Sequence, residues 1–255
     1  MKSFIFALLG IFILSSNSHA KLDLMVGGQG RSLPSLGAEA YGETGYTQLL
    51  WGKRKAGDKN VLFGFVRPNI GVSTSGVINS VKAELEIFPV SFLGIAAGRQ
   101  LIHSNFDFPF FECKQITCEG EFRRNYIETR MALGAKGIIT VLSYRYDLLQ
   151  GPHTNQPMAD WRHVIVGNKN HDMQIERKAL LAYMHGTSLY GILAENVRFE
   201  GSGEMKESYA AVYQYKPKDV AYMVGAGSFR SSREAQGLII YFRINYTLLP
   251  SLKLF

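Results

Sequence analysis

The chain has 255 residues, with 28 basic and 21 acidic side chains, a formal charge of +7, and 12% aromatic residues. Its charges are interspersed rather than gathered into a patch, which argues against a nucleic-acid surface. After residue 20 no apolar run approaches the ~20 residues that a spanning helix needs, so a helical membrane protein is excluded.

Residues 1–20 read as a secretory signal peptide, leaving residues 21–255 as one mature domain. Lys2 supplies the basic start, residues 4–14 the apolar run, and Ser18, His19 and Ala20 a small-residue cleavage site. Beyond it the dominant signal is alternation with period two, broken by Gly, Pro, Asn and Asp clusters. Leu22, Leu24 and Val26 open a first strand ending near Gly28. A second spans 37–51, and 53–60 form a polar turn into a third over 61–72. In the fourth, Val81, Ala83, Leu85 and Ile87 alternate with Ser80, Lys82, Glu84 and Glu86. A tight connection at 88–91 leads to a fifth strand carrying Leu93, Ile95, Ala97 and Leu101.

Residues 103–120 form a long irregular stretch with Phe106, Phe108, Phe110 and Phe111 beside Cys113 and Cys118. In an exported chain this close, even pair is expected to form a disulfide that tightens a loop tip. Two sulfurs alone are too few ligands for zinc. The aromatics are expected to pack on a rim and girdle, with a receptor surface as the alternative. Strands at 121–133 and 138–148 meet at the turn 135–137, and a second long stretch covers 149–172. Residues 161–167 could be a further strand, but that would break the parity of the loops, so they are assigned to the loop. Strands at 173–184, 189–199, 205–216, 220–229 and 237–249 bring the total to twelve, with ten or fourteen as alternatives.

In the last strand Ile240, Phe242, Ile244, Tyr246 and Leu248 form one apolar row against Tyr241, Arg243, Asn245 and Thr247. A leader followed by repeated alternation and a terminal Phe255 resembles the Gram-negative outer-membrane β-barrel proteins, over the whole mature chain and at class level. The resemblance implies an all-β fold, a closed antiparallel transmembrane barrel in the outer membrane. Its implied partners are outer-membrane lipids, lipopolysaccharide and the assembly machinery, and small charged solutes are further candidates. Phe255 is out of phase with the apolar row, and Pro250 cannot donate to the ladder, so 250–255 read as a tail.

If the apolar rows face lipid, the opposite rows face a lumen. That assignment gives Lys82, Glu84, Glu86, Gln100, Arg124, Glu128, Arg130, Arg145, Asp147, Glu176, Lys178 and Arg243 as lumen-lining residues. Arg or Lys facing hydrocarbon would cost roughly 2–4 kcal/mol near the midplane. A mixed-charge lumen suits a small-solute channel. The same residues could instead fill and brace a non-conducting structural or adhesion barrel, since twelve strands lie between the filled and the channel-forming sizes.

A lipid-active enzyme is the third reading, and no catalytic residues are assigned. His103 and Ser104 are neighbours, so on a strand they point to opposite faces. His185 and Ser188 flank a turn. His153, His163 and His171 with Asp160 and Asp172 share the 149–172 loop, where solvated polarity is the expected explanation and a metal or protease-like site the sharper one. No cofactor or metal is expected.

Overall fold

The computed structural model describes residues 21–32, 37–52, 62–107, 111–152, 155–233 and 236–249. The leader 1–20, the turn 53–60, Phe108, Phe110, His153 and the tail 250–255 lie outside the described residues. The rest is all-β, and its strands form one closed antiparallel barrel of twelve.

In chain order the first seven strands are β1 (Lys21–Arg31), β2 (Gly37–Trp51), β3 (Gly64–Thr74), β4 (Ile78–Val90), β5 (Leu93–Ser104), β6 (Gly120–Ala135) and β7 (Ile138–Gln150). Two short strands follow, β8 (Pro157–Asp160) and β9 (Ile165–Lys169). The series ends with β10 (His171–His185), β11 (Ser188–Phe199), β12 (Met205–Tyr215), β13 (Val220–Ser231) and β14 (Gly237–Leu249). Each barrel strand pairs with its sequence neighbours, β7 pairs with β10 across the β8–β9 insertion, and β1 pairs with β14 to close the sheet. Closure leaves no unpaired sheet edge, the condition a sheet must meet to sit in lipid.

The alternation read from sequence is the alternation of the wall. On β14 the even residues Ile240, Phe242, Ile244, Tyr246 and Leu248 are all exposed, while Ile239 is buried and Tyr241, Arg243 and Asn245 half-buried. On β4, Ser80, Glu84, Glu86 and Phe88 are buried against exposed Val81 and Ile87. One end of the barrel is joined by short turns. In the turn between β6 and β7 both Lys136 and Gly137 have positive φ, 50° and 84°, the pattern that suits the twist of a two-residue hairpin.

Three expectations need adjustment. β1 continues to Arg31 rather than stopping near Gly28, because its glycines pair on both sides, with β2 and β14. β3 extends at its far end to Thr74, paired with both Ala40 and Asn79. The 149–172 segment is not irregular: β8 and β9 form a separate antiparallel hairpin, and 161–167 contributes to it without joining the wall. Proline is also tolerated mid-strand. Pro68 of β3 lies where the β2–β3 pairs run Gly45↔Asn69 and then Gln48↔Val66, so its missing donor coincides with a gap in that ladder.

Candidate functional site

The interior holds two groups of charged side chains beneath a plug. The first group is built on β1 to β6, where the inward residues of neighbouring strands stand side by side. Arg67 is 2% exposed and binds three carboxylates, Asp23 at 2.5 Å, Glu43 at 2.8 Å and Glu86 at 3.1 Å. Glu86 is fully buried and also pairs with Arg130 at 2.6 Å. Arg130 reaches Glu128 at 2.7 Å and Glu84 at 3.2 Å. Lys82 joins Glu43 at 2.8 Å and Glu84 at 3.5 Å, and Tyr126 and Asn69 donate to Glu84 at 2.8 and 3.0 Å. Beside it Arg145 pairs with Asp147 at 2.7 Å and lies over the Tyr126 ring. Gln100 donates to Ser80 Oγ at 2.9 Å, and Arg243 donates to the Tyr41 hydroxyl at 2.7 Å.

The second group is built on β10, β11 and β12. Glu176 pairs with Lys178, Lys178 with Glu195 at 3.3 Å, and Lys206 with Glu195 at 3.3 Å. Of the residues assigned to a lumen from sequence, Lys82, Glu84, Glu86, Glu128 and Arg130 lie in the first group with Arg145 and Asp147 beside it, and Glu176 and Lys178 lie in the second. Arg124 reaches the plug, and Gln100 and Arg243 bond Ser80 and Tyr41 apart from both. Several participants were not singled out: Asp23, Glu43, Arg67, Asn69, Tyr126 and Glu195. Arg67 and Asn69 do alternate with Val66, Pro68 and Ile70, so the period-two signal was there. A single charge in an otherwise apolar row names no partner, because its partners lie on other strands.

The plug closes the end opposite the short turns. Met158 and Ile165 of the hairpin pack with Ile102, Phe122, Leu149, Val197 and Phe199 from the inner wall into one buried cluster. On its other face Ala159, Val164 and Val166 pack with Phe111, Ile116 and Cys118. Thr117 and the hairpin exchange backbone bonds, Thr117 N to Pro157 O at 2.8 Å and Ala159 N to Thr117 O at 3.0 Å. The Cys113–Cys118 disulfide is present. It closes a tip whose Lys114 and Gln115 are exposed, and its inner end is anchored: Cys118 is 2% exposed and belongs to the apolar cluster against the hairpin. Phe111 likewise turns into that cluster rather than onto a rim, whereas Phe106 stays exposed. Burying these apolar side chains together offsets the cost of seating backbone inside the barrel.

Polar contacts fix the hairpin's depth. Arg31 donates to the carbonyls of Trp161 and Arg162, and Ser202 and Glu204 bind the two backbone groups of Val166 at 2.7 and 2.6 Å. Asp160 accepts from Gln174 at 2.6 Å and from His163 Nδ1 at 2.8 Å, and pairs with Arg124 at 3.4 Å. Burial alone would raise the Asp160 carboxyl, but His163 and Arg124 hold it well below the usual carboxylate range. Asp160 and His163 are therefore not solvated loop residues: they are 3% and 2% exposed, because the hairpin folds inward. His171 is exposed and Asp172 buried, the latter accepting backbone N–H bonds from Asn168 and Gly201 at 2.9 Å each. Among the described residues no hydroxyl lies within hydrogen-bond reach of His163 Nε2.

Toward the turns the inner face of β3 and β4 is packed by Phe63, Phe65 and Phe88, each at most 3% exposed, while the side formed by β10 to β14 is looser. The Lys178 side chain is 42% exposed, and Leu189, Leu193, Met223 and Asn245 on the inward rows toward the turns are half-exposed. On the outer face, Tyr46, Tyr183, Tyr190, Tyr213, Tyr215 and Tyr222 stand exposed near the turn end. Toward the loop end the same outward rows carry Arg123, Arg198 and Arg230.

No protein-family model matches the chain, and no curated protein does. Solved structures do. A porin, KdgM, solved in complex with disordered oligogalacturonate, is 13% identical, with 88% of this chain and 98% of that one covered and a TM-score of 0.44. LpxR from Salmonella typhimurium is 8% identical, at 88% and 99% coverage and a TM-score of 0.48. OccK3 from Pseudomonas aeruginosa is 10% identical, at 96% and 99% coverage and a TM-score of 0.41. The chain is similar to outer-membrane β-barrels at the level of class. Function has to come from its own interior.

Proposed function

We propose that this chain is an integral outer-membrane barrel acting as a small-solute channel, closed at its loop end by the β8–β9 hairpin. The observation that carries the reading is the pairing of a seated hairpin with a charged interior in which the Lys178 side chain stays half-exposed. A barrel needing only to be filled has no use for a half-exposed lysine beside two carboxylates. Charges of both signs on the inner wall would select small charged solutes once the hairpin moved aside.

Placement in the outer membrane is supported by the exterior. Exposed apolar rows form the band, tyrosines gather toward the short turns, and outward arginines sit toward the loops, where acidic lipopolysaccharide would meet them. Export through a cleaved leader and insertion by the assembly machinery belong to the same proposal.

The test is planar-bilayer recording of refolded protein with and without residues 156–168. The intact chain should show little steady conductance, and the deletion variant should open in steps. A large steady conductance in the intact chain overturns the plug. Silence from a deletion variant that still shows the unheated-versus-boiled gel shift of a folded barrel overturns the channel. Silence would favour a structural barrel, a reading that the paired charges around Arg67 support in their own right.

A further inference from the structure

The underside of the hairpin presents a set of donors that the channel reading does not use. His163 from the hairpin, Glu176 from β10 and Glu195 from β11 can each offer one ligand atom, and these atoms lie within 4.8 Å of one another. Asp160 is an acceptor-only carboxylate, so His163 must donate to it through Nδ1 at 2.8 Å. That bond fixes the ring and turns Nε2 toward the two glutamates. Nε2 lies 3.9 Å from Glu176 Oε1, too far for a hydrogen bond, and no described residue bonds it. A side chain 3% exposed thus directs an unused nitrogen at two carboxylates. Metal-bound histidines are held in this way, with the second ring nitrogen donating to a carboxylate that is itself hydrogen-bonded. Here Gln174 and Arg124 provide that outer support.

We propose that His163, Glu176 and Glu195 form a divalent transition-metal site. One imidazole and two carboxylates with room for water suit zinc. The ammonium of Lys178 holds the cation position, in contact with Glu176 and 3.3 Å from Glu195. Lys178 is the built-in competitor. Its half-exposed stem can swing into the interior, and Lys206 remains on Glu195 to limit the charge change. Because one ligand belongs to the hairpin and two to the wall, a bound ion ties the plug to the barrel. The site itself does not depend on conduction; only this latching consequence rests on the channel reading.

Calorimetric titration of the refolded full chain with zinc chloride tests the site. Lys178→Met should bind one zinc per chain roughly tenfold tighter than wild type. Asp160→Asn in that background should weaken binding by roughly 10–100-fold, since it removes the carboxylate that orients His163 and leaves all three ligands in place. His163→Ala should abolish binding, with the gel shift showing that the barrel persists. Cobalt in place of zinc should give visible absorption bands that vanish with His163→Ala. A folded Lys178→Met protein that binds no zinc, or binding indifferent to His163→Ala, overturns the proposal. If zinc binds but does not slow proteolysis within the hairpin, the latch is wrong while the site stands. If the hairpin deletion never conducts, the channel reading fails and calorimetry still decides the site.

Discussion

Arg67 shows how single residues are held in this interior. Its guanidinium makes four hydrogen bonds to three carboxylates from three strands, one more than an ammonium has donors for. Arg67→Met should therefore destabilise the barrel by about 3–5 kcal/mol, through the charges left unpaired rather than through lost attraction. Urea unfolding in lipid vesicles measures it, and a loss within error of zero would mean water reaches those carboxylates freely. Asp160 gives a pH prediction. Its carboxyl is depressed in the folded state, so its contribution is fully present above the unfolded carboxylate range, near pH 4, and is lost as pH falls toward the folded value. The stability advantage of wild type over Asp160→Asn should therefore shrink between about pH 5 and pH 2. Wild type faces His163 and Arg124 at this position, so an advantage that grew on acidification would contradict the assignment.

At the scale of elements, the plug is a joint structure of the β8–β9 hairpin and residues 111–118, not a hairpin alone. The disulfide closes a loop of only five residues' separation, so it acts within this unit and adds at most about 2 kcal/mol by loop entropy. Reduction should leave the unheated-versus-boiled gel shift intact while exposing the 111–118 segment to protease. Loss of the gel shift on reduction would show that the segment supports the wall itself. Met158→Ala should cost about 2–5 kcal/mol of plug seating, because a fully buried side chain leaves a cavity among Phe122, Leu149 and Phe199. Faster proteolysis within the hairpin would report it.

For the molecule as a whole, the two faces of one sheet divide the work. The outward row of β14 is apolar throughout, and Ile244→Arg should cost roughly 2–4 kcal/mol in a bilayer, with the penalty falling for substitutions nearer either rim. A near-zero cost in vesicles would mean that this strand does not face lipid. Inside, the charge density is highest on β1 to β6 and again on β10 to β12, while toward the turns Phe63, Phe65 and Phe88 are buried and Leu189, Leu193 and Met223 half-exposed. The interior is thus uneven: plugged toward the loops, braced by Arg67 and packed by Phe63, Phe65 and Phe88 toward the turns on one side, and looser around Lys178 on the other.

The alternation on β4, β5 and β14 determined by itself which face each strand turns inward, because the side-chain period of a strand is two and a polar wall facing lipid is costly. The strand number and the cysteine pairing were legible for equally local reasons, the turn residues and the spacing of Cys113 and Cys118. What only the tertiary structure decided is what lies across the interior. Nothing in the sequence of 149–172 says that Asp160 and His163 fold inward. That depends on Ile102, Phe122, Val197 and Phe199, residues distant in the chain, offering one apolar seat for Met158 and Ile165. Likewise Arg67 could be recognised as polar in an alternating row but not as the partner of Asp23, Glu43 and Glu86, because barrel closure and register bring those strands together. Periodicity is a property of neighbours along the chain, and the chemistry of this interior belongs to neighbours across it.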